Sequence, residues 1–220
     1  MGREIELKIP VTEDGYKRLF EFIAGSGKIE GIKINPESLE RILKSDEYYS
    51  RYQTREESRA AGEPQVIRIR CETYGTIGQL LPGFPYSKDK TVTKSFFCIK
   101  RKVIENGIEL NREDETFVEN ADVIRDILTL SGYNRFFEKK KDSLSVLCYF
   151  ENKIDSLCKI PFHVELEIVN NLKYVEIEVT DDGSPADEVR SELEKFVTML
   201  GLDCSKRDSR SWMEIINAAK

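Results

Sequence analysis

Residues 3 to 10 read R-E-I-E-L-K-I-P, in which residues 4 to 9 alternate three charges with three aliphatics. A strand sends successive side chains to opposite faces, so Glu4, Glu6 and Lys8 share one face and Ile5, Leu7 and Ile9 the other. An edge strand with a solvated outer face explains one such stretch. It does not explain why the spacing recurs down the chain. Arg68/Arg70, Lys100/Lys102, Glu113/Glu115, Lys139/Lys141 and Glu176/Glu178 also place charges two apart in strand-like runs. Their alternate faces, such as Ile67/Ile69 and Val175/Ile177, are apolar and need a core. A sheet rolled into a barrel reconciles the two demands, with helices covering the apolar outside and the charges lining the inside.

The other elements follow from local signals. Thr12 caps a helix from about Glu13 to Ala24, and Asn35-Pro36 reads as the start of a shorter helix to about Leu43. A strand is expected over 47 to 53, then a polar loop over 54 to 64. Residues 73 to 91, rich in glycine and proline, read as a long inserted connection. Asn106-Gly107 and Asn170-Asn171 mark hairpins. Asn120 caps a helix stopped by Gly132, and Ser184-Pro185 opens a last long helix. The total is about eight strands with helices between and after them, in one domain over residues 1 to 220.

Composition narrows the chemistry. Of 220 residues 40 are acidic and 34 basic, and the net charge of -6 gives no general pull toward nucleic acid or membrane surfaces. Any polyanion must be met by a local basic site. Five cysteines without C-x-x-C spacing fit reduced thiols, and the single histidine, His163, argues against histidine-based zinc sites and Ser-His-Asp catalysis. No signal peptide or apolar span near 20 residues is evident, so a cytoplasmic protein without a membrane partner is expected.

An ionic lumen requires compensation, because burying unpaired charge costs several kcal/mol per ion. A ligand can supply it. Arginine and lysine suit polyphosphate oxygens, and clustered carboxylates suit Mg2+ or Mn2+. Together they describe metal-assisted phosphoryl or nucleotidyl transfer.

The ordered motifs E-I-E-L-K (4 to 8), I-R-I-R (67 to 70), the lysine strand around Lys100, R-E-D-E (112 to 115), E-K-K-K (138 to 141), Y-V-E-I-E (174 to 178) and S-W-M-E-I-I (211 to 216) resemble the CYTH family, or triphosphate tunnel metalloenzymes. That family includes class IV adenylate cyclases, thiamine triphosphatases and inorganic triphosphatases. The resemblance implies an α+β fold, a closed eight-stranded antiparallel β-barrel with helices packed outside. It also implies a divalent cofactor, Mg2+ or Mn2+, and substrates bearing a triphosphate. Carried over by position, Glu4, Glu6 and Lys8 are the expected catalytic residues, the glutamates as metal-site carboxylates and Lys8 in contact with phosphate. Arg68, Arg70, Lys100, Lys102, Arg112, Lys139 and Lys141 are the expected phosphate ligands. Glu113, Glu115, Glu176 and Glu178 complete the acidic set, with Glu165 and Glu167 as the second choice for the last pair. R-E-D-E admits two registers, with Glu113/Glu115 preferred inward over Arg112/Asp114.

The expected activity is hydrolysis by metal-activated water of tripolyphosphate, a nucleoside triphosphate, thiamine triphosphate or an RNA 5′ triphosphate. The alternative is cyclisation of ATP to cyclic AMP and pyrophosphate, and a third reading is polyphosphate binding without turnover. A monomer or homodimer is expected.

Overall fold

The computed structural model describes the chain except residues 1–2, 64–65, 76–91, 106–107, 152–160, 181–185 and 220. Among the described residues eight strands and five α-helices run in the order β1 (Arg3–Pro10), α1 (Glu13–Ile23), β2 (Ile32–Ser50), α2 (Arg55–Ala60), β3 (Val66–Tyr74), β4 (Val92–Glu105), β5 (Ile108–Val118), α3 (Ala121–Leu130), β6 (Asn134–Phe150), β7 (Phe162–Val169), β8 (Leu172–Thr180), α4 (Ala186–Met199) and α5 (Trp212–Ala218). All strand pairings are antiparallel, in the order β1-β5-β4-β3-β2-β6-β7-β8, with β8 returning to β1.

The expectation of a closed barrel is corrected here. The strands form a single antiparallel sheet rolled into a tunnel, and hydrogen bonding does not close it along its whole height. β1 is in register with β8 from Glu4 to Pro10, but with β5 only from Arg3 to Glu6, against Arg112 to Glu109. β5 from Glu113 to Val118 is in register with β4 alone. The reason is length and offset: β1 spans eight residues, and β5 runs on past its first residue.

The main apolar core lies outside the tunnel. Ile5, Leu7 and Ile9 of β1, Leu144 and Val146 of β6, Val164 and Leu166 of β7, and Val175 and Ile177 of β8 pack under Leu19 and Ile23 of α1 and Leu193 and Phe196 of α4. Phe196 stacks flat on Phe162, ring centroids 4.0 Å apart, and both are fully buried. Phe196→Ala is expected to cost about 3–5 kcal/mol, because the flat ring leaves a hole that neighbouring strands cannot collapse to fill. Urea denaturation would show this as a lower midpoint at unchanged slope. A smaller cluster of Tyr49, Ile69 and Leu128 fixes α3 over the outer face of β2 and β3.

Local expectations fare unevenly. Thr12 and Asn120 cap α1 and α3, and Asn170 and Asn171 both take positive φ, as a tight primed hairpin turn requires. The helix expected from Asn35-Pro36 to about Leu43 is instead the first half of β2. Its register against β6 slips between Asn35 and Glu40, and that irregularity absorbs Pro36. The strand expected over 47 to 53 ends at Ser50, and the loop expected over 54 to 64 contains α2, capped by Thr54. Of the connection expected over 73 to 91, residues 73 and 74 belong to β3, and residues 76 to 91 lie outside the described residues, as do Asn106-Gly107 and Ser184-Pro185. Among the described residues no helix is long and apolar enough to cross a membrane.

Candidate functional site

Alternation delivers the site. Because the odd residues of β1 are locked into the outer core, Glu6 and Lys8 must face the lumen, and both are buried. The same parity turns Arg68 and Arg70 of β3, Lys100 of β4, Glu113 and Glu115 of β5, Lys139 and Lys141 of β6, Glu165 of β7, and Glu176 and Glu178 of β8 into one cavity of about 580 Å3. It also brings in residues not singled out from the sequence: Lys44 and Tyr48 line this cavity. Asp46, between them on the same face of β2, is fully buried. The K-S-D-E-Y run carries the period-two signal, obscured by starting the strand at Glu47.

The charges are organised as three groups. In the first, Asp46 takes a two-pronged contact from Arg70 at 2.7 and 2.9 Å, a hydrogen bond from Tyr48 at 3.2 Å, and Lys139 at 3.4 Å. Burial alone would raise the Asp46 carboxyl, but Arg70 and Lys139 overcome it and hold it well below the usual carboxylate range. Burial and the neighbouring Lys141 charge push Lys139 well below an ordinary lysine.

In the second group, Glu165, Glu167 and Glu176 bring oxygens within 4.8 Å of one another. Lys141 reaches all three, at 3.6 Å from Glu165 and 3.0 Å from Glu176, and in close contact with Glu167. Lys44 binds Glu165 at 2.7 Å. Desolvation of Glu165 and Glu176 is outweighed chiefly by Lys141, so both carboxyls stay ionised. The two alternative glutamate pairs are therefore not alternatives in space. Glu165 sits opposite Glu176 in the β7–β8 ladder, and both project inward.

In the third group, Glu113 receives Arg68 at 2.9 Å and Lys100 at 2.7 Å. Against its own desolvation, those two cations hold its carboxyl low. Glu115 accepts from Arg68 at 3.2 Å, and Glu6 lies 3.9 Å from Lys100. Cys98 is buried beside them, and desolvation pushes its thiol up to about 12.

The R-E-D-E segment adopts the preferred register, with Glu113 and Glu115 inward. Arg112 does not join the phosphate set. It lies on the outer face near Asp114 at 3.8 Å, half exposed, because parity on β5 opposes it to Glu113. Glu4 and Lys102 occupy β1 and β4 two residues from Glu6 and Lys100; their side chains lie outside the described residues.

One end of the cavity is covered by α5, whose capping box joins Ser211 and Glu214. Trp212 donates to Glu176 at 3.0 Å, with Lys8 and Lys139 each 5.5 Å from its ring. Lys8 also donates to the Arg210 carbonyl at 2.8 Å.

His163 also lines the cavity, its Nδ1 2.7 Å from Glu178. Desolvation works to lower its pKa, but the hydrogen bond and charge of Glu178 prevail and raise it above the ordinary histidine value. A group raised on folding contributes stability that is complete below its unfolded pKa, about 6.5, and lost as pH climbs through the folded value. With one histidine in the chain, a single imidazole NMR signal should titrate above that reference, and Glu178→Gln should return it downward. A wild-type signal titrating at or below the reference would contradict this.

No family model and no curated protein matches the chain. Solved structures do. A protein from Pyrococcus horikoshii OT3 superposes with a TM-score of 0.66 at 17% identity, covering 99% of each chain. A protein from Vibrio parahaemolyticus described as a putative adenylate cyclase gives 0.60 at 17% identity, covering 97% of each. A putative adenylyl cyclase from Hippeastrum, described as having a dominant triphosphatase activity, gives 0.56 at 13% identity over 100% of this chain and 97% of its own. At such identities the likeness speaks for architecture, and the chain has the eight-stranded tunnel fold of CYTH-type proteins.

Proposed function

We propose that this chain is a divalent-metal-dependent phosphohydrolase acting on a triphosphate-bearing substrate. The observation that carries the reading is the convergence of Lys8, Arg68, Arg70, Lys100, Lys139 and Lys141 on one cavity whose remaining walls are carboxylate. Cations in that number serve a polyanion, and their existing ion pairs keep the lumen neutral enough to fold in its absence. The described structures from Vibrio and Hippeastrum support a triphosphate as that polyanion.

Glu165, Glu167 and Glu176 present only hard oxygen donors within 4.8 Å of one another, the donor type that suits Mg2+ or Mn2+, while the Lys141 ammonium balances their charge. Glu113 and Glu115, beside the Cys98 sulfur, are the other group close enough to share an ion, with Glu4, Glu6 and Glu178 as further expected ligands. When bound, Mg2+ or Mn2+ would neutralise phosphate charge and make a water more acidic. The chain's own residues do the rest. Arg68 offers its guanidinium to phosphate oxygens, Arg70 adds positive charge from a fork engaged by Asp46, and Lys139 and Lys141 spread charge along the chain of phosphates. Water is the attacking group in this reading, and Cys98, whose thiol burial pushes up to about 12, is not needed as a nucleophile.

A second reading, cyclisation of ATP, draws on the Vibrio protein's description. Incubation with ATP or tripolyphosphate and Mg2+ or Mn2+ separates the readings. Orthophosphate release supports the hydrolase. Cyclic AMP with pyrophosphate replaces it with the cyclase, and saturable binding without turnover reduces the site to polyphosphate capture. A cytoplasmic location and a monomer or homodimer belong to the same proposal.

A further inference from the structure

The acidic group of the lumen is built from two like-charged pairs. Lys44 of β2 stands directly opposite Lys141 of β6, and Glu165 of β7 directly opposite Glu176 of β8. Like charges facing each other across a ladder repel, so each pair alone would loosen its strands. They are stitched crosswise instead. Lys44 meets both oxygens of Glu165 at 2.7 Å, while Lys141 reaches Glu176 at 3.0 Å and Glu165 at 3.6 Å. Lys44, Lys141 and Glu165 are all buried, so solvent screens these contacts little.

One member of the group is left short of partners. Glu167 is wholly inaccessible, neither of its oxygens has a hydrogen bond among the described residues, and Lys141 is the charge beside it. A buried carboxylate in that state gains from a ligand cation. Yet a divalent ion cannot simply be added. Two ammoniums already face three carboxylates, and the ion would set four positive charges against three negative ones. It must drive the lysines off, and Lys44 and Lys141, once freed, repel across the ladder until an anion bridges them. Both line the cavity in which a phosphate would lie. Phosphate arriving alone meets the mirror problem, because it draws the lysines away and leaves buried Glu165 opposite Glu176 without its counter-ions.

We infer that Lys44 is a phosphate-binding residue that gates the metal site: it holds Glu165 until a divalent ion and a phosphate arrive together, then passes from carboxylate to phosphate oxygen beside Lys141. This rests on reading the acidic group as a metal site and the basic wall as a triphosphate site. The two ligands then assist each other, and the coupling acts equally on both.

The test titrates the full chain, stripped of metal, with each ligand by itself in a calorimeter. Lys44→Met should bind Mn2+ about tenfold more tightly than wild type, within the usual range of coupling between two sites, because Glu165 is no longer held. Lys44→Arg keeps the charge on Glu165 and should leave Mn2+ binding as weak as in wild type. Glu165→Gln should bind tripolyphosphate, in EDTA, more tightly than wild type by a similar factor, because Lys44 is released. Glu165 keeps Lys141 as a counter-ion in Lys44→Met, and where circular dichroism shows that variant unfolded, the Glu165→Gln titration decides. A folded Lys44→Met that binds Mn2+ no more tightly than wild type overturns the inference, as does a folded Glu165→Gln that binds tripolyphosphate no more tightly. Either result leaves the metal and triphosphate reading standing so long as wild type binds the two ligands. A wild type that binds neither Mn2+ nor tripolyphosphate, alone or mixed, overturns that reading and the inference together.

Discussion

Asp46→Ala should cost about 3–5 kcal/mol of folding free energy, the usual consequence of deleting one partner of a buried ion pair. Asp46 is wholly inaccessible and is the counter-ion for Arg70 and Lys139 at once. Lys139 can shed its proton when the carboxylate goes. Arg70 cannot, and its fork would be left in the lumen without the two oxygens it now grips. For a chain of this size the loss corresponds to a fall in Tm of about 10 °C. The contribution has a pH signature. Because the folded carboxyl is depressed, its stabilisation is complete above the unfolded value, about 3.9, and disappears as pH falls toward the depressed folded one. Asp46→Ala should therefore narrow the gap from wild type in strong acid. Adding Arg70→Met should recover stability, because two apolar groups replace a broken pair. A double variant no more stable than the single one would show that Asp46 acts through something other than Arg70.

Asp46 is also a measure of what the sequence makes legible. Where a strand's outer face was purely aliphatic, as with Ile5/Leu7/Ile9 or Val175/Ile177, period-two reading found the strand and the direction of its charges. β2 defeated that reading because Pro36 has two lawful uses, first turn of a helix or bulge in a strand, and only pairing with β6 chooses the second. With its first half read as helix, Lys44 and Asp46 fell outside the strand. Arg112 shows the opposite failure: a motif implied a phosphate contact that strand parity forbids once Glu113 turns inward. The glutamate pairs on β7 and β8 competed in the sequence because a hairpin's register is a cross-strand fact, and that register sets Glu165 opposite Glu176. The incomplete seam between β1 and β5 joins strands about a hundred residues apart and leaves no local trace.

Arg68→Lys tests the chemistry most severely. Arg68 is nearly inaccessible, its Nη2 bound to Glu113 and Glu115, while its buried Nε has no hydrogen-bond partner among the described residues. A buried, unmade hydrogen bond costs free energy, and a guanidinium that lines a cavity and keeps a donor unspent is suited to a ligand oxygen. Lysine keeps the positive charge near Glu113 and so spares most of the fold, yet it loses the planar fork. If Arg68 binds phosphate oxygens more strongly as charge develops on them, the substitution should lower kcat/KM by about 10²–10³, as deletion of a preorganised oxyanion donor does. The loss should fall on kcat as well as KM, since ground-state binding alone would move KM only. Steady-state kinetics on tripolyphosphate with Mg2+ or Mn2+, beside a thermal melt within a few degrees of wild type, would establish this. Wild-type turnover in a folded Arg68→Lys protein would mean that the unspent donor serves no substrate, and would shift the burden of phosphate recognition to Arg70, Lys139 and Lys141.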